Sequence, residues 1–182
     1  MKVPPTKSDS RASAAKMEVD GGVATLVFER IMAHPPEVVW AALTEPAHLR
    51  HWLMASTVKI EGKEGGFIEM VAGPPPQIRS TGRILTWDPP SVFEYEFNVG
   101  PGAEHPNGEQ SIVRWELSSE GASTKLRLTH RRLSAPAAIG YGPGWHAFLD
   151  RLSAELDGLP LPDWNARFEK LLRDYGVDIS AH

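Results

Sequence analysis

Hydrophobic residues recur with different periods along the chain, and each period predicts a type of secondary structure. The run from Val23 to Met32 is apolar and rich in β-branched residues, which predicts a buried strand. From His34 the apolar residues follow helical spacing, so a helix is expected there that ends at Pro46. A second short helix is predicted over 47–52.

The middle of the chain predicts six strands joined by turns rich in Gly, Pro and Asp. Their predicted ranges are 57–61, 67–72, 79–87, 92–99, 112–118 and 125–131. Short strands joined by such turns are typical of an antiparallel meander. Strict alternation places two sets of side chains on common faces: Val113, Trp115 and Leu117, and Leu126, Leu128 and His130.

The last part of the chain predicts two helices. Residues 142–144, Gly-Pro-Gly, are expected to lead into a helix over 145–156, and a further helix is expected from Asp163. The predicted organisation is a disordered polar tail over 1–15, a domain over 16–158 and a helical extension over 159–182 that packs on it. We therefore predict an α+β fold in which a curved antiparallel sheet wraps the long C-terminal helix.

Composition narrows the classes of function. The 182 residues are 41% hydrophobic and contain no cysteine, which fits one globular domain without disulfides or thiolate metal sites and favours a reducing compartment. The formal net charge of -4 argues against nucleic acid as a partner. The sequence shows neither a membrane span nor a signal peptide, so we expect a cytoplasmic protein without membrane insertion.

Large rings and aliphatic residues that should point towards the closing helix are the main candidates for a ligand cavity. They are Trp52, Phe93, Tyr95, Phe97, Trp115, Leu117, Leu126, Leu128, His130, Tyr141, Trp145, Phe148, Leu149 and Leu152. Such side chains line cavities for flat apolar ligands and equally build ordinary cores. The hydroxyl of Tyr95 or Tyr141 would orient a ligand if it faced inward.

His130 is the most interesting titratable residue, because it follows apolar residues on an inward face. The pattern favours a structural histidine with satisfied hydrogen bonds over a ligand contact, and a ligand contact over a catalytic acid or base. Glu94 and Glu96 should lie on the opposite face of their strand, in water, so no catalytic pair is predicted. We assign no catalytic residue and expect no cofactor.

The remaining charged candidates are interpreted as surface groups. His48 and His51 lie three residues apart on a short helix, but no carboxylate is expected to converge with them, so no metal site is predicted. His34, His105, His146 and His182 receive no chemical role. Arg131 and Arg132 are interpreted as a solvated strand end, and the glycines of 62–66 as a turn and not a phosphate loop.

Four segments, in order, resemble one protein family. They are ERIMAHPPEVVWAALTEPAHLRHW, GRILTWDPPSVFEYEF, VRWELSSEGASTKLRLTH and GYGPGWHAFLDRLSAEL. They are similar to bacterial homologues of the C-terminal domain of activators of the Hsp90 ATPase, within the START-like (SRPBCC, Bet v 1-like) superfamily. The resemblance covers residues 24 to 158 and implies the helix-grip fold.

The resemblance implies a cavity for an apolar ligand between sheet and helix, and three functions stay open. Non-enzymatic binding of a small apolar or aromatic molecule, as a carrier, a sensor or in a stress-related role, is the first. A cyclase-like or dehydratase-like enzyme using the same cavity is the second. Co-chaperone action on an Hsp90-type ATPase is the third and least supported. Two segments go beyond the shortest form of the family pattern: the loop over 100–110 and the additional C-terminal helix after Gly158. Each is expected to form either a lid over the cavity or a homodimer contact.

Overall fold

The computed structural model describes residues 14–176, which form an eight-stranded antiparallel sheet and four helices. The elements are β1 (Lys16–Asp20), β2 (Val23–Met32), α1 (Pro36–Thr44), α2 (Pro46–Trp52), β3 (Thr57–Ile60), β4 (Phe67–Ala72), β5 (Ile78–Asp88), β6 (Val92–Val99), β7 (Glu109–Glu120), β8 (Ser123–Ser134), α3 (Ala135–Leu156) and α4 (Trp164–Asp174). Most of the predicted N-terminal tail, 1–13, and the end of the predicted extension, 177–182 with His182, lie outside the described residues. Within the described range, no helix has the length and hydropathy to cross a membrane.

The strands follow the order β1-β2-β8-β7-β6-β5-β4-β3, so β8 returns to pair with β2 and the meander runs outward from it to β3. The curved sheet packs against α3, and the prediction of an α+β helix-grip fold is confirmed. Phe28 of β2, Leu128 of β8 and Leu149 of α3 are almost fully buried between the two layers. Their burial is the main source of free energy that holds the helix on the sheet.

Strand β1 is an element that the hydrophobic pattern did not predict. It pairs with β2 through a two-residue turn in which Gly21 and Gly22 have φ values of 56° and 81°. Two residues with positive φ are typical of the tight hairpin turn whose twist matches that of the strands. All residues of β1 are exposed, so no buried face marked the strand in the sequence.

Helix α3 begins at Ala135, and the prediction that it begins at Trp145 was wrong. The Ser134 hydroxyl caps its N-terminus by accepting a hydrogen bond from the N–H of Ala137 at 3.4 Å. The Gly-Pro-Gly segment at 142–144 lies inside the helix, and all three of its residues are buried. Packing of these small residues against neighbouring elements therefore outweighs their low intrinsic helix propensity.

Helix α4 is fastened to α3 by side-chain contacts. Arg167 Nε donates to Asp150 Oδ2 at 2.6 Å, and His146 Nδ1 lies 3.1 Å from the Tyr175 hydroxyl. The same hydroxyl accepts a hydrogen bond from the N–H of Ala15 at 2.9 Å. His146, expected to lie off the apolar stripe of its helix, is instead buried, and burial lowers its pKa to about 4.

Candidate functional site

A cavity of about 390 Å³ lies between one end of the sheet and the N-terminal half of α3, and it is partly open to solvent. Its sheet side comes from β4 and β5, where Met70 pairs with Ser80 and Ala72 with Ile78. Directly paired residues of antiparallel strands point to the same face, so these four side chains line one wall. The segment 73–76, Gly-Pro-Pro-Pro, forms the rim beside them.

The helix side of the cavity combines large rings with very small residues. Tyr141, Trp145 and Phe148 recur at the spacing that keeps side chains on one face of α3. Between them lie small residues, among them Gly140 and Gly144, which also line the cavity. A Cβ atom at Gly140 would meet no other group within 4 Å, and one at Gly144 would meet only the Trp164 ring, at 3.8 Å.

Two segments cover the cavity from outside. The loop over 100–108 contributes His105, and α4 contributes Trp164 and Phe168, whose rings stack with centroids 4.6 Å apart. Trp164 also packs against Phe148 of α3, at 5.4 Å between ring centroids. Both segments thus contribute side chains to the cavity lining, and a lid role stays a prediction. The homodimer contact stays a prediction.

The structure brings four of the predicted cavity residues to this space: Phe97, Tyr141, Trp145 and Phe148. The others lie away from it, and all of them are buried in the interior: Trp52, Phe93, Tyr95, Trp115, Leu117, Leu126, Leu128, His130, Leu149 and Leu152. Alternation predicts which face of a strand points inward, but not what covers it. Over β6, β7 and β8 the inner face is filled by the first two helices and the C-terminal half of α3, as where Trp52 packs edge-on against Trp115.

Several cavity residues were absent from the predicted set, and their signals differ. Trp164 and Phe168 belong to the apolar stripe of the last helix and are half-buried, so their inward orientation was predictable but the surface they contact was not. The rim segment 73–76 gave the signal of a turn and nothing more. His105 lies in a loop whose path no periodicity fixes, so its place beside Tyr141 follows from the tertiary structure alone.

His130 is fully buried, and both of its ring nitrogens have hydrogen-bond partners. Trp145 Nε1 donates to Nδ1 at 2.9 Å, so the proton of the neutral ring is on Nε2, which donates to Ser111 Oγ at 2.8 Å. The Ser111 hydroxyl in turn donates to the carbonyl of Phe97 at 2.9 Å. Burial lowers the pKa of His130 to about 3. Of the three interpretations, this geometry favours a structural histidine that holds two cavity rings in position.

The polar groups that line the cavity are few. The Tyr141 hydroxyl lies 3.2 Å from His105 Nε2, and the two rings stack with an interplanar angle of 11°. Burial raises the pKa of Tyr141, and the negative charge of Glu109 raises it further, so the phenol is neutral. The Tyr95 hydroxyl, the other predicted orienting group, is instead buried beside Trp115 Nε1 at 3.5 Å, away from the cavity.

Glu94 lies on the outer face of β6 as predicted, but the expectation that it is in water was wrong. It is 8% exposed, and its Oε2 accepts a hydrogen bond from Arg131 Nη1 at 2.6 Å and lies 3.5 Å from Arg114 Nη1. Pairing of β6 with β7 sets Glu94 opposite Arg114, and Arg131 reaches it from β8. Arg131 is therefore an ion-pair partner and not a free strand-end cation.

His48 and His51 of α2 lie on the exposed helix surface as expected, but the expectation that no carboxylate converges with them was wrong. Both Nδ1 atoms face the carboxylate of Glu155 on α3, His48 at 3.1 Å and His51 in a short contact. The helices could not be aligned from sequence, so this convergence was not predictable. Across residues 14–176, no group of three or more His, Asp and Glu side chains is arranged to hold a metal ion.

A curved antiparallel sheet closed on a long C-terminal helix defines a protein of the START-like, helix-grip class. A family model described as "Activator of Hsp90 ATPase homolog 1-like protein" matches residues 33–157, and the chain belongs to this family. The resemblance inferred from the four sequence segments is thus confirmed. Family and fold together support a ligand-binding or related role.

Solved structures of bacterial proteins share this fold. A Bordetella parapertussis protein is 28% identical with a TM-score of 0.68, covering 87% of this chain and 86% of its own. CalU16 from Micromonospora echinospora is 22% identical with a TM-score of 0.66, covering 90% and 94%. A Mesorhizobium loti protein is 26% identical with a TM-score of 0.62, covering 75% and 99%. No curated protein matches this chain.

Proposed function

We propose that this protein binds a small apolar or aromatic molecule in the cavity between β4, β5 and α3, without transforming it. One observation carries the proposal: a cavity of about 390 Å³, partly open to solvent, lies between the sheet and α3. That volume lies in the range of small-molecule sites, and such sites are mostly apolar with a few polar groups that set orientation. Here the rings supply the apolar surface, and the Tyr141 hydroxyl supplies a polar group.

The cavity exposes apolar surface to solvent. Transfer of such surface from water into contact with a ligand is favourable, by roughly 25 cal/mol per Å². A larger residue at Gly140 or Gly144 would fill part of this space. The small residues on that face of α3 therefore leave room for a small apolar molecule.

Ala137→Trp is expected to block binding, because Ala137 lines the cavity and an indole there would occupy the ligand's volume. The probe is N-phenyl-1-naphthylamine, an uncharged aromatic molecule whose fluorescence rises in an apolar site. We expect the wild-type protein to bind it with saturation, and Ala137→Trp to weaken binding at least about tenfold. The measurement is a fluorescence titration.

The matched control is Ile139→Trp, which adds the same indole two residues along α3 at a side chain that is 49% exposed and does not line the cavity. This variant should bind the probe like the wild type. Equal binding by Ala137→Trp and Ile139→Trp would place the probe elsewhere and contradict the proposal. Failure of the wild-type protein to bind the probe would also contradict the proposal.

An enzyme acting in the same cavity is the second candidate, and the contact between Tyr141 and His105 favours it. A tyrosine paired with an imidazole is an arrangement that can donate a proton to a bound carbonyl or hydroxyl. The raised pKa of Tyr141 makes it a donor and a poor base at neutral pH. A phenol with a raised pKa gives up its proton less readily, so its hydroxyl serves mainly to donate a hydrogen bond to a bound group. Simple binding therefore explains the pair with fewer requirements.

Tyr141→Phe separates the two candidates, because it removes the hydroxyl while it keeps the ring. If the protein is a binder, incubation with a bacterial metabolite extract leaves every metabolite at the same level with wild type and variant. If it is an enzyme, mass spectrometry shows a metabolite consumed by the wild type and spared by Tyr141→Phe. We expect no such difference, and N-phenyl-1-naphthylamine binding should persist in the variant.

A further inference from the structure

The charges around the cavity are of one sign. Among the described residues that line it, none is Lys or Arg, and Glu104 places a carboxylate at the rim. Glu104 forms no ion pair with any side chain in the range 14–176. Arg131 and Arg132 do not belong to the lining, and Arg131 is engaged by Glu94.

A second carboxylate lies behind the wall that Tyr141 forms. Glu109 is 8% exposed, and its oxygens accept hydrogen bonds from the backbone N–H and the hydroxyl of Ser134 at 2.6 and 2.9 Å. These partners are neutral, so they solvate the carboxylate without cancelling its charge. Ser134 is the N-cap of α3, and the nearby Pro136 and Ala137 line the cavity, so Glu109 lies directly behind this wall. The charge of Glu109 also raises the pKa of Tyr141, in addition to burial.

Aromatic rings make up the other part of the lining. Six of them face the cavity: Phe97, Tyr141, Trp145, Phe148, Trp164 and Phe168. The face of an aromatic ring carries partial negative charge and attracts cations, most strongly where water is excluded. The imidazole of His105 is the remaining basic group at the rim, and its Nε2 is already directed at the Tyr141 hydroxyl.

From this arrangement we propose that the ligand is an apolar amine or a similar hydrophobic cation, and that the site rejects carboxylates. The inference rests on the proposed binding function and specifies its ligand class. The ligand's apolar body packs among the rings, and its cationic group lies at the rim near Glu104. An anion would have to leave water without a cationic partner, and such a transfer is strongly unfavourable.

Three probes with one apolar body test the ligand class: 2-naphthylmethylamine, 2-naphthalenemethanol and 2-naphthoate. They are respectively cationic, neutral and anionic at neutral pH. We expect the amine to bind about two- to fivefold more tightly than the alcohol, and the carboxylate at least about tenfold more weakly than the alcohol. Calorimetric titration at low and high salt measures all three, and the advantage of the amine should shrink with salt.

Variants at the cavity rim test whether Glu104 causes the preference for the amine. Glu104→Gln should remove most of the amine's advantage and leave binding of the alcohol unchanged, whereas Glu104→Lys should favour the carboxylate. Glu64→Gln removes the same charge from an exposed turn outside the lining, and it should change nothing.

The outcomes separate the two proposals. If none of the three probes binds and N-phenyl-1-naphthylamine does not bind either, the binding function itself fails. If the alcohol binds but the amine binds no more tightly, or the carboxylate binds best, the ligand class is overturned and the binding function stands. An amine preference that persists in Glu104→Gln and at high salt would also overturn the assignment to the rim carboxylate.

Discussion

Trp145→Ala is expected to lower the free energy of unfolding by about 3 to 5 kcal/mol. The ring is 6% exposed and packs edge-on against Trp115 with centroids 5.6 Å apart, so its loss leaves a void in the core beside the existing cavity. The substitution also removes the donor to His130 Nδ1, and an unpaired buried acceptor costs about 1 to 3 kcal/mol by itself. Urea denaturation followed by circular dichroism measures the change.

A pair of milder variants separates packing from hydrogen bonding. Trp145→Phe keeps a ring in place but removes the donor, so about 1 to 3 kcal/mol should still be lost. Trp164→Phe serves as the control, because its indole Nε1 is buried without a hydrogen-bond partner among the described residues. Removing that donor should change the stability very little. Equal losses in the two variants would show that the contact between Trp145 and His130 contributes nothing.

The architecture was predictable because the hydrophobic pattern has strong periods in the elements that build it. Each of the six strands from β3 to β8 alternates or runs apolar between turn residues, and α1 and α2 are separated by Pro46. Local signals led to a wrong prediction for two segments. Strand β1 buries no face, and the first half of α3 contains Gly142 and Pro143, which are poor helix formers when tertiary contacts are ignored.

The cavity was less predictable than the sheet. Alternation correctly placed Phe97 and His130 on the inner face, but the position of the open space depends on what lies opposite each residue. That is decided by the small residues of α3, by the loop that carries His105 and by the docking of α4. The cavity thus depends on contacts between residues that are far apart in the chain. Hydrophobic periodicity in a single sequence does not reveal such contacts.

His130 should make the protein lose stability as the pH falls from 7 to 5. Its pKa is about 3 in the folded protein and near 6.5 in the unfolded chain, so below pH 6.5 the unfolded state binds the additional proton. The contribution of the neutral His130 ring to the free energy of unfolding is thus complete above pH 6.5 and declines as the pH falls towards 3. Between pH 7 and pH 5 the expected loss from this group is about 2 kcal/mol.

His130→Gln isolates this contribution, because glutamine can accept from Trp145 Nε1 and donate to Ser111 without titrating. The variant should be less stable than the wild type at pH 7, and the gap should narrow by about 2 kcal/mol at pH 5. His146, with a pKa lowered to about 4, titrates in the same direction in both proteins, so it cancels in this comparison. A gap that does not change with pH would mean that His130 is protonated as easily in the folded protein as in the unfolded chain. The neutral imidazole that links Trp145 to Ser111 would then be the wrong description of this core.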